Sequence, residues 1–106
     1  MPLTRDFKYT VAARLEADSE FAKALLDEAI TLFLNGEDNT AKLVLRDLVN
    51  ATIGFEVLAQ TVEKPSKSVH RMLSASGNPT MSNLAAIFAA LKKVLKVEIQ
   101  AHSVSI

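Results

Sequence analysis

Pro65 stands between two short apolar stripes, and that placement limits the fold more than any other feature of the chain. Proline lacks an N–H and its ring clashes inside a helix, so no helix runs through position 65. Its fixed φ nonetheless suits the first turn of a new helix. Before it, Leu58, Ala59 and Val62 recur at i, i+1 and i+4; after it, Val69, Met72 and Leu73 recur at i, i+3 and i+4. Each set makes one apolar face of a helix. Phe55 to Ser74 therefore reads as two short helices around a tight turn, with both stripes turned to one core.

A helix advances about 100° per residue, so burying Val69, Met72 and Leu73 sets Lys67 and Arg71 outward, with His70 and Ser74 beside them. That face is cationic and rich in hydrogen-bond donors. A helix-turn-helix that lays its second helix in the DNA major groove needs this arrangement. An ordinary helical hairpin with a solvated polar face has it too, so the face alone leaves both readings open.

Charge distribution bears on that choice. The formal net charge is +0, yet six of the twelve Lys and Arg residues and eleven of the twelve Asp and Glu residues lie at or before Glu63. Nucleic-acid binding needs a local basic surface rather than a basic protein, and this chain segregates its charges. The acidic first half in turn suits a basic protein partner. At 106 residues, with 49% hydrophobic and 23% charged residues, the chain reads as one folded domain rather than a disordered one. The lack of cysteine excludes disulfides and thiolate metal sites. His70 and His102 have no ligand spacing around them, so no metal site is expected. No apolar run reaches the ~18 residues of a membrane span, and no basic-then-apolar leader opens the sequence. The expectation is a cytoplasmic protein.

In chain order, residues 1–9 read as an N-terminal arm, and 10–53 as N-terminal helices. Thr10 to Ala17 reads as a short helix. A longer one follows, capped by Asp18 or Ser19, with Phe21, Leu25, Ala29 and Phe33 in one apolar row and Ala22, Leu26 and Ile30 in another. Asn35-Gly36 stops it, the glycine supplying a left-handed closing residue. Asn39 or Thr40 reads as the cap of the next helix, with Leu45, Leu48 and Val49 inward and Lys42, Arg46 and Asp47 outward. After the helix pair, Ser76-Gly77-Asn78-Pro79 is a cluster of turn residues. Thr80 or Ser82 caps a last helix bearing Leu84, Ile87, Phe88 and Leu91. From Val94 to Ala101 the period falls to two, as in a strand that needs a pairing partner from the tail 102–106 or from a second chain. Continuation of the helix to Ile99 is the alternative.

Gly54 to Ile99 resembles the Xre/Cro-type helix-turn-helix family, and within it the addiction-module antidote group related to the HigA antitoxins. The residues that carry the resemblance are Gly54-Phe55-Glu56-Val57-Leu58-Ala59, Lys67-Ser68-Val69-His70-Arg71-Met72-Leu73-Ser74, Gly77-Asn78-Pro79-Thr80, Asn83-Leu84 and Leu95-Lys96-Val97-Glu98. The resemblance implies a mainly α fold, a five-to-six-helix bundle with a lambda-repressor-like helix-turn-helix over 54–101 and one short C-terminal β-strand. It also implies a homodimeric repressor of its own promoter on a palindromic double-stranded operator, and a toxin as protein partner. Carried over residue by residue, base contacts fall to Ser66, Lys67, Arg71 and His70, and phosphate contacts to the Phe55 and Glu56 amides. Lys64, Ser74 and Asn78 complete the expected DNA-binding set. The chain departs from the pattern at Glu63, where the turn commonly has glycine.

No catalytic constellation accompanies these residues. Ser68 and His70 project about 200° apart on a helix, and Gly77 is isolated, so no glycine-rich phosphate loop exists. Neither an enzyme nor a cofactor is expected. A protein-interaction module that binds a partner without reading DNA is the second reading.

Overall fold

A computed structural model describes residues 19–106 of the protein. Five helices follow one another there: α1 Ser19–Leu34, α2 Asp38–Ala51, α3 Gly54–Thr61, α4 Ser66–Met72 and α5 Met81–Leu95. The arm at 1–9, the helix expected over Thr10 to Ala17 and the Asp18 cap lie outside the described residues.

Helices α1 and α2 pack on each other most extensively, as a three-residue connection requires of neighbours in a bundle. The buried stripe of α1 is Ala22, Leu26 and Ala29, with Leu25, Ile30 and Phe33 at its margins. Phe21, expected in a buried row with Leu25 and Ala29, is instead 63% exposed. The buried stripe is centred on Ala22, Leu26 and Ala29, and Phe21 lies about 100° round the helix from Ala22, at the margin of that stripe. Leu45, Leu48 and Val49 of α2 are buried as their spacing requires. Lys42, expected outward, is 2% exposed. It occupies the row of Leu45 and Val49, one turn earlier, so the helix itself carries it inward.

A single core draws on all five helices. Its fully buried side chains include Leu26 of α1, Leu45 and Leu48 of α2, Leu58 of α3, Val69 of α4, and Ile87 and Leu91 of α5. Phe88 of α5 meets Phe33 of α1 edge to face, with ring centroids 6.0 Å apart, which ties the last helix to the first.

Three of the helix ends close in the same way. After α1, Gly36 N–H donates to Phe33 O and Glu37 N–H to Leu32 O, with Gly36 at φ 84. After α3, Glu63 N–H donates to Gln60 O and Lys64 N–H to Ala59 O, with Glu63 at φ 57. After α5, Lys96 N–H donates to Lys93 O and Val97 N–H to Lys92 O, again with φ 57 at Lys96. Each is a Schellman closure, with one residue in the left-handed region. Glycine fills only the first, so Glu63 and Lys96 each carry strain of about 1–2 kcal/mol.

One helix start falls as expected and two differ in detail. Thr80 caps α5, its hydroxyl accepting from Asn83 N–H at 3.1 Å. Helix α2 begins at Asp38 rather than after Asn39 or Thr40, and no side chain caps it. Its acidic first turn, with Asp38 there, favours the positive end of the helix dipole. Pro65 precedes the first turn of α4 instead of occupying it, with φ −60 and ψ 142, and its carbonyl accepts from Ser68 and Val69 N–H.

No strand forms among the described residues. The expected strand at Val94 to Ala101 is replaced by the last residues of α5, the left-handed Lys96 and an extended segment from Val97. Period two survives in the burial: Leu95, Val97 and Ile99 pack on the core while Lys96, Glu98 and Gln100 face solvent. Alternation needs only one face against the core, whereas a ladder needs a second backbone, and none among the described residues lies alongside.

The strain at Glu63 is open to direct test. Glu63→Gly relieves the left-handed cost and adds ~0.5–1 kcal/mol of unfolded-state entropy, for a net gain of about 0.5–1 kcal/mol. Urea unfolding then shows a higher midpoint at unchanged slope; a lower midpoint contradicts the closure described here.

Candidate nucleic-acid interface

Helix α4 is anchored from below and open above. Val69 and Leu73 are fully buried, Met72 is half-buried, and the helix packs chiefly on α3. Lys67, His70 and Arg71 are exposed on the opposite side, with Ser66 half-buried at the start. The first turn of α4 holds no acidic residue, and the last turn holds His70 and Arg71. Among the described residues the ion pairs are Lys23 with Glu20 and Lys92 with Glu98. Lys64, Lys67 and Arg71 thus have no carboxylate partner there.

The structure separates the other expected residues into three kinds. Phe55 is buried, and its ring stacks on the His70 imidazole with centroids 4.0 Å apart and planes 16° from parallel. This contact staples the exposed face of α4 to the start of α3 and fixes where His70 points. Glu56 accepts a hydrogen bond from the Ser66 hydroxyl at 3.2 Å, which also bridges the two helices across the turn. Its carboxylate makes the start of α4 less positive than the sequence of α4 alone suggests.

Ser74 does not project as a donor. Its hydroxyl donates to Arg71 O at 2.7 Å and helps close the end of α4. Asn78 is exposed in the loop that follows. No side chain caps the start of α3, so the amides of its first turn, including those of Phe55 and Glu56, have no side-chain acceptor. Amides in that position favour an anion such as a phosphate.

The site therefore gathers Lys67, His70 and Arg71 on one face of α4, with the exposed Lys64 in the turn before it and the start of α3 joined to it by the Phe55–His70 stack. Two residues support the site from behind: Lys42, expected outward, and Gly77, whose place in a turn was expected but whose closeness to α4 was not. Lys42 donates from its ammonium to Gly77 O at 2.6 Å and to Ala75 O at 3.3 Å, in the loop leaving α4. The signal for it was position: a residue three before Leu45 and seven before Val49 shares their face. Gly77 presses so closely on α4 that a Cβ there would overlap the carbonyl oxygens of Arg71 and Met72.

A second basic locus lies at the far end of α5. Lys92, Lys93 and Lys96 line an open groove of about 580 Å³ with Ala89, Val97 and Glu98. Glu98 pairs with Lys92 at 3.4 Å and offsets part of the charge. Among the described residues no group of three His, Cys, Asp or Glu side chains gathers for a metal, and no helix is long and apolar enough to cross a membrane.

The stack and the free cation predict opposite behaviour. His70→Ala lowers stability by about 0.5–1.5 kcal/mol through the lost ring contact, whereas Lys67→Ala, at an exposed residue with no ion pair among the described residues, changes it by less than about 0.5 kcal/mol. Thermal unfolding of both variants checks this, and equal effects contradict it. Set against family models, curated proteins and solved structures, the chain matches none.

Proposed function

We propose that the protein is a sequence-specific DNA-binding regulator in which α3 and α4 form a helix-turn-helix and α4 enters the major groove. One observation carries the reading. A short helix, held by Val69 and Leu73, presents Lys67 and Arg71 one turn apart on a face with no acid of its own. The groove is about 12 Å wide and accepts a helix. Arg71 is placed to read a guanine edge and Lys67 to meet a base or phosphate, while the uncapped start of α3 meets the phosphate backbone. His70 is held by Phe55 and contributes as a fixed ring. Lys64, Ser66 and Asn78 lie at the margins, and Ser74 serves by closing the helix.

A palindromic operator presents two half-sites about 34 Å apart, and the same reading assigns the pairing of two copies to the extended segment after α5. Residues 98–106 make no backbone hydrogen bond to another described residue. Their N–H and C=O groups suit antiparallel pairing with the same segment of a second copy. Val97 is not part of that ladder, because its N–H closes α5 on Lys92 O at 3.0 Å. Pairing therefore starts beyond it.

A protein partner is compatible with this role. Asp27, Glu28, Glu37, Asp38 and Asp47 are exposed on α1, α2 and the loop between them, with Leu34 and Leu43 exposed among them. An acidic surface with apolar anchors suits a basic protein. That is the surface through which an antitoxin of the group named above would hold its toxin, while α4 represses the promoter.

Two outcomes test the reading. On a duplex selected from a random library, Arg71→Ala costs about 1–3 kcal/mol of binding and relaxes the preference at one base pair in each half-site. Anisotropy titrations measure it, and equal affinity of the unmutated protein for selected and scrambled duplexes contradicts DNA reading. Ile99→Pro removes a backbone donor beyond the α5 closure, so light scattering reports a shift from dimer to monomer mass with helical circular dichroism retained. A dimer that persists places the pairing elsewhere.

A further inference from the structure

Lys42 is the one charged side chain buried among the described residues, and no carboxylate there opposes it. A buried ammonium is costly unless hydrogen bonds replace its water. Here the carbonyls of Gly77 at 2.6 Å and Ala75 at 3.3 Å do so. Both belong to the turn that leaves α4, and both are reached from α2, which packs elsewhere on α1 and α3. A leucine or methionine at position 42 would fill the same row at no such cost; what the ammonium adds is its two hydrogen bonds to the turn.

The turn is in register with the end of α4. Ser74 N–H donates to Arg71 O at 3.2 Å, and Gly77 N–H donates to Ser74 O at 3.0 Å. Gly77 then lies against Arg71 O and Met72 O, where no side chain fits. A movement of Gly77 relative to α2 thus moves the last turn of α4, which carries Arg71. The apolar anchors Val69 and Leu73 fix the depth of the helix but resist rotation about their own axis weakly, since apolar contact is not directional. The charge-assisted hydrogen bonds of Lys42 are directional, and the one to Gly77 O, at 2.6 Å, is short.

We propose that Lys42 is a positioning residue: its ammonium latches the Ser74–Gly77 turn to α2 and so sets the angle at which α4 presents Lys67 and Arg71. The role rests on the DNA reading proposed above, but the latch has a readout of its own. Lys42→Met keeps an unbranched apolar side chain of similar length and removes the ammonium. Amide hydrogen exchange at residues 69–77 then rises by at least about tenfold, as expected for loss of a hydrogen bond to a charged group, while exchange in α1 and α5 stays unchanged. On DNA, the preference for the selected over the scrambled duplex falls by a similar factor while affinity for scrambled DNA is retained.

Unchanged exchange at 69–77 overturns the latch. A rise spread evenly over all five helices also overturns it, since that marks general destabilisation. Should Lys42→Met fail to fold, the unmutated protein decides: nuclear magnetic resonance shows slowly exchanging Lys42 Nζ protons coupled to the Ala75 and Gly77 carbonyls, or the latch is absent. If the unmutated protein prefers no duplex, DNA reading fails and the exchange data still decide the latch.

Discussion

Burial of Val69 and Leu73 is the contact on which the candidate interface depends. A seven-residue helix is far below the length at which a helix holds in water, so α4 exists only because these side chains are taken into the core. Each contributes about 1.5–3 kcal/mol on burial, against the ordering of a short segment that carries three cationic or ring-bearing groups to the surface. On the outward face Lys67 and Arg71 have no ion-pair partner among the described residues, while His70 and Ser66 also tie α4 to α3. This division leaves Lys67 and Arg71 open on the proposed DNA-facing side while the apolar side holds the fold.

The turn that delivers α4 is shaped by helix closure rather than by proline alone. Pro65 excludes continuation of α3, but the direction in which the chain leaves is set one step earlier, where Glu63 takes the left-handed conformation and the Ala59 and Gln60 carbonyls are satisfied. The same device closes α1 and α5, so one local geometry defines three of the chain reversals around the core. Across the α3–α4 turn, the Phe55–His70 stack and the Ser66–Glu56 hydrogen bond hold the two helices at both edges. The helix pair is therefore braced on its apolar side, its exposed side and, through Lys42, at its trailing end.

Much of this was legible in the residues. The break at Pro65, the stripes on either side, the stop at Gly36, the cap at Thr80 and the burial of Leu84, Ile87 and Leu91 all follow from periodicity and turn chemistry. What stayed hidden has physical causes. Lys42 is apolar in position and charged in kind, and a pattern that sorts residues by kind sends it outward. The commitments of Ser74 and Phe55 depend on neighbours that only the folded chain supplies. Alternation at Val97 and Ile99 reports one buried face and carries no information about a ladder, so a strand was expected where an extended segment lies. Phe21 is exposed because the buried stripe is centred on Ala22, Leu26 and Ala29, and two apolar rows side by side in the sequence do not tell which one faces the core.

The central claim is that one face, formed by α4 and the start of α3, meets DNA. The most direct measurement is a titration of isotope-labelled protein with a duplex selected from a random library, followed by amide chemical shifts. The account predicts that the largest changes fall at Ser66, Lys67, His70 and Arg71 and at the Phe55 and Glu56 amides, with the acidic surface of α1 and α2 unmoved. Changes centred on Asp27, Glu28 and Asp47, or none at any residue of α4, would contradict it.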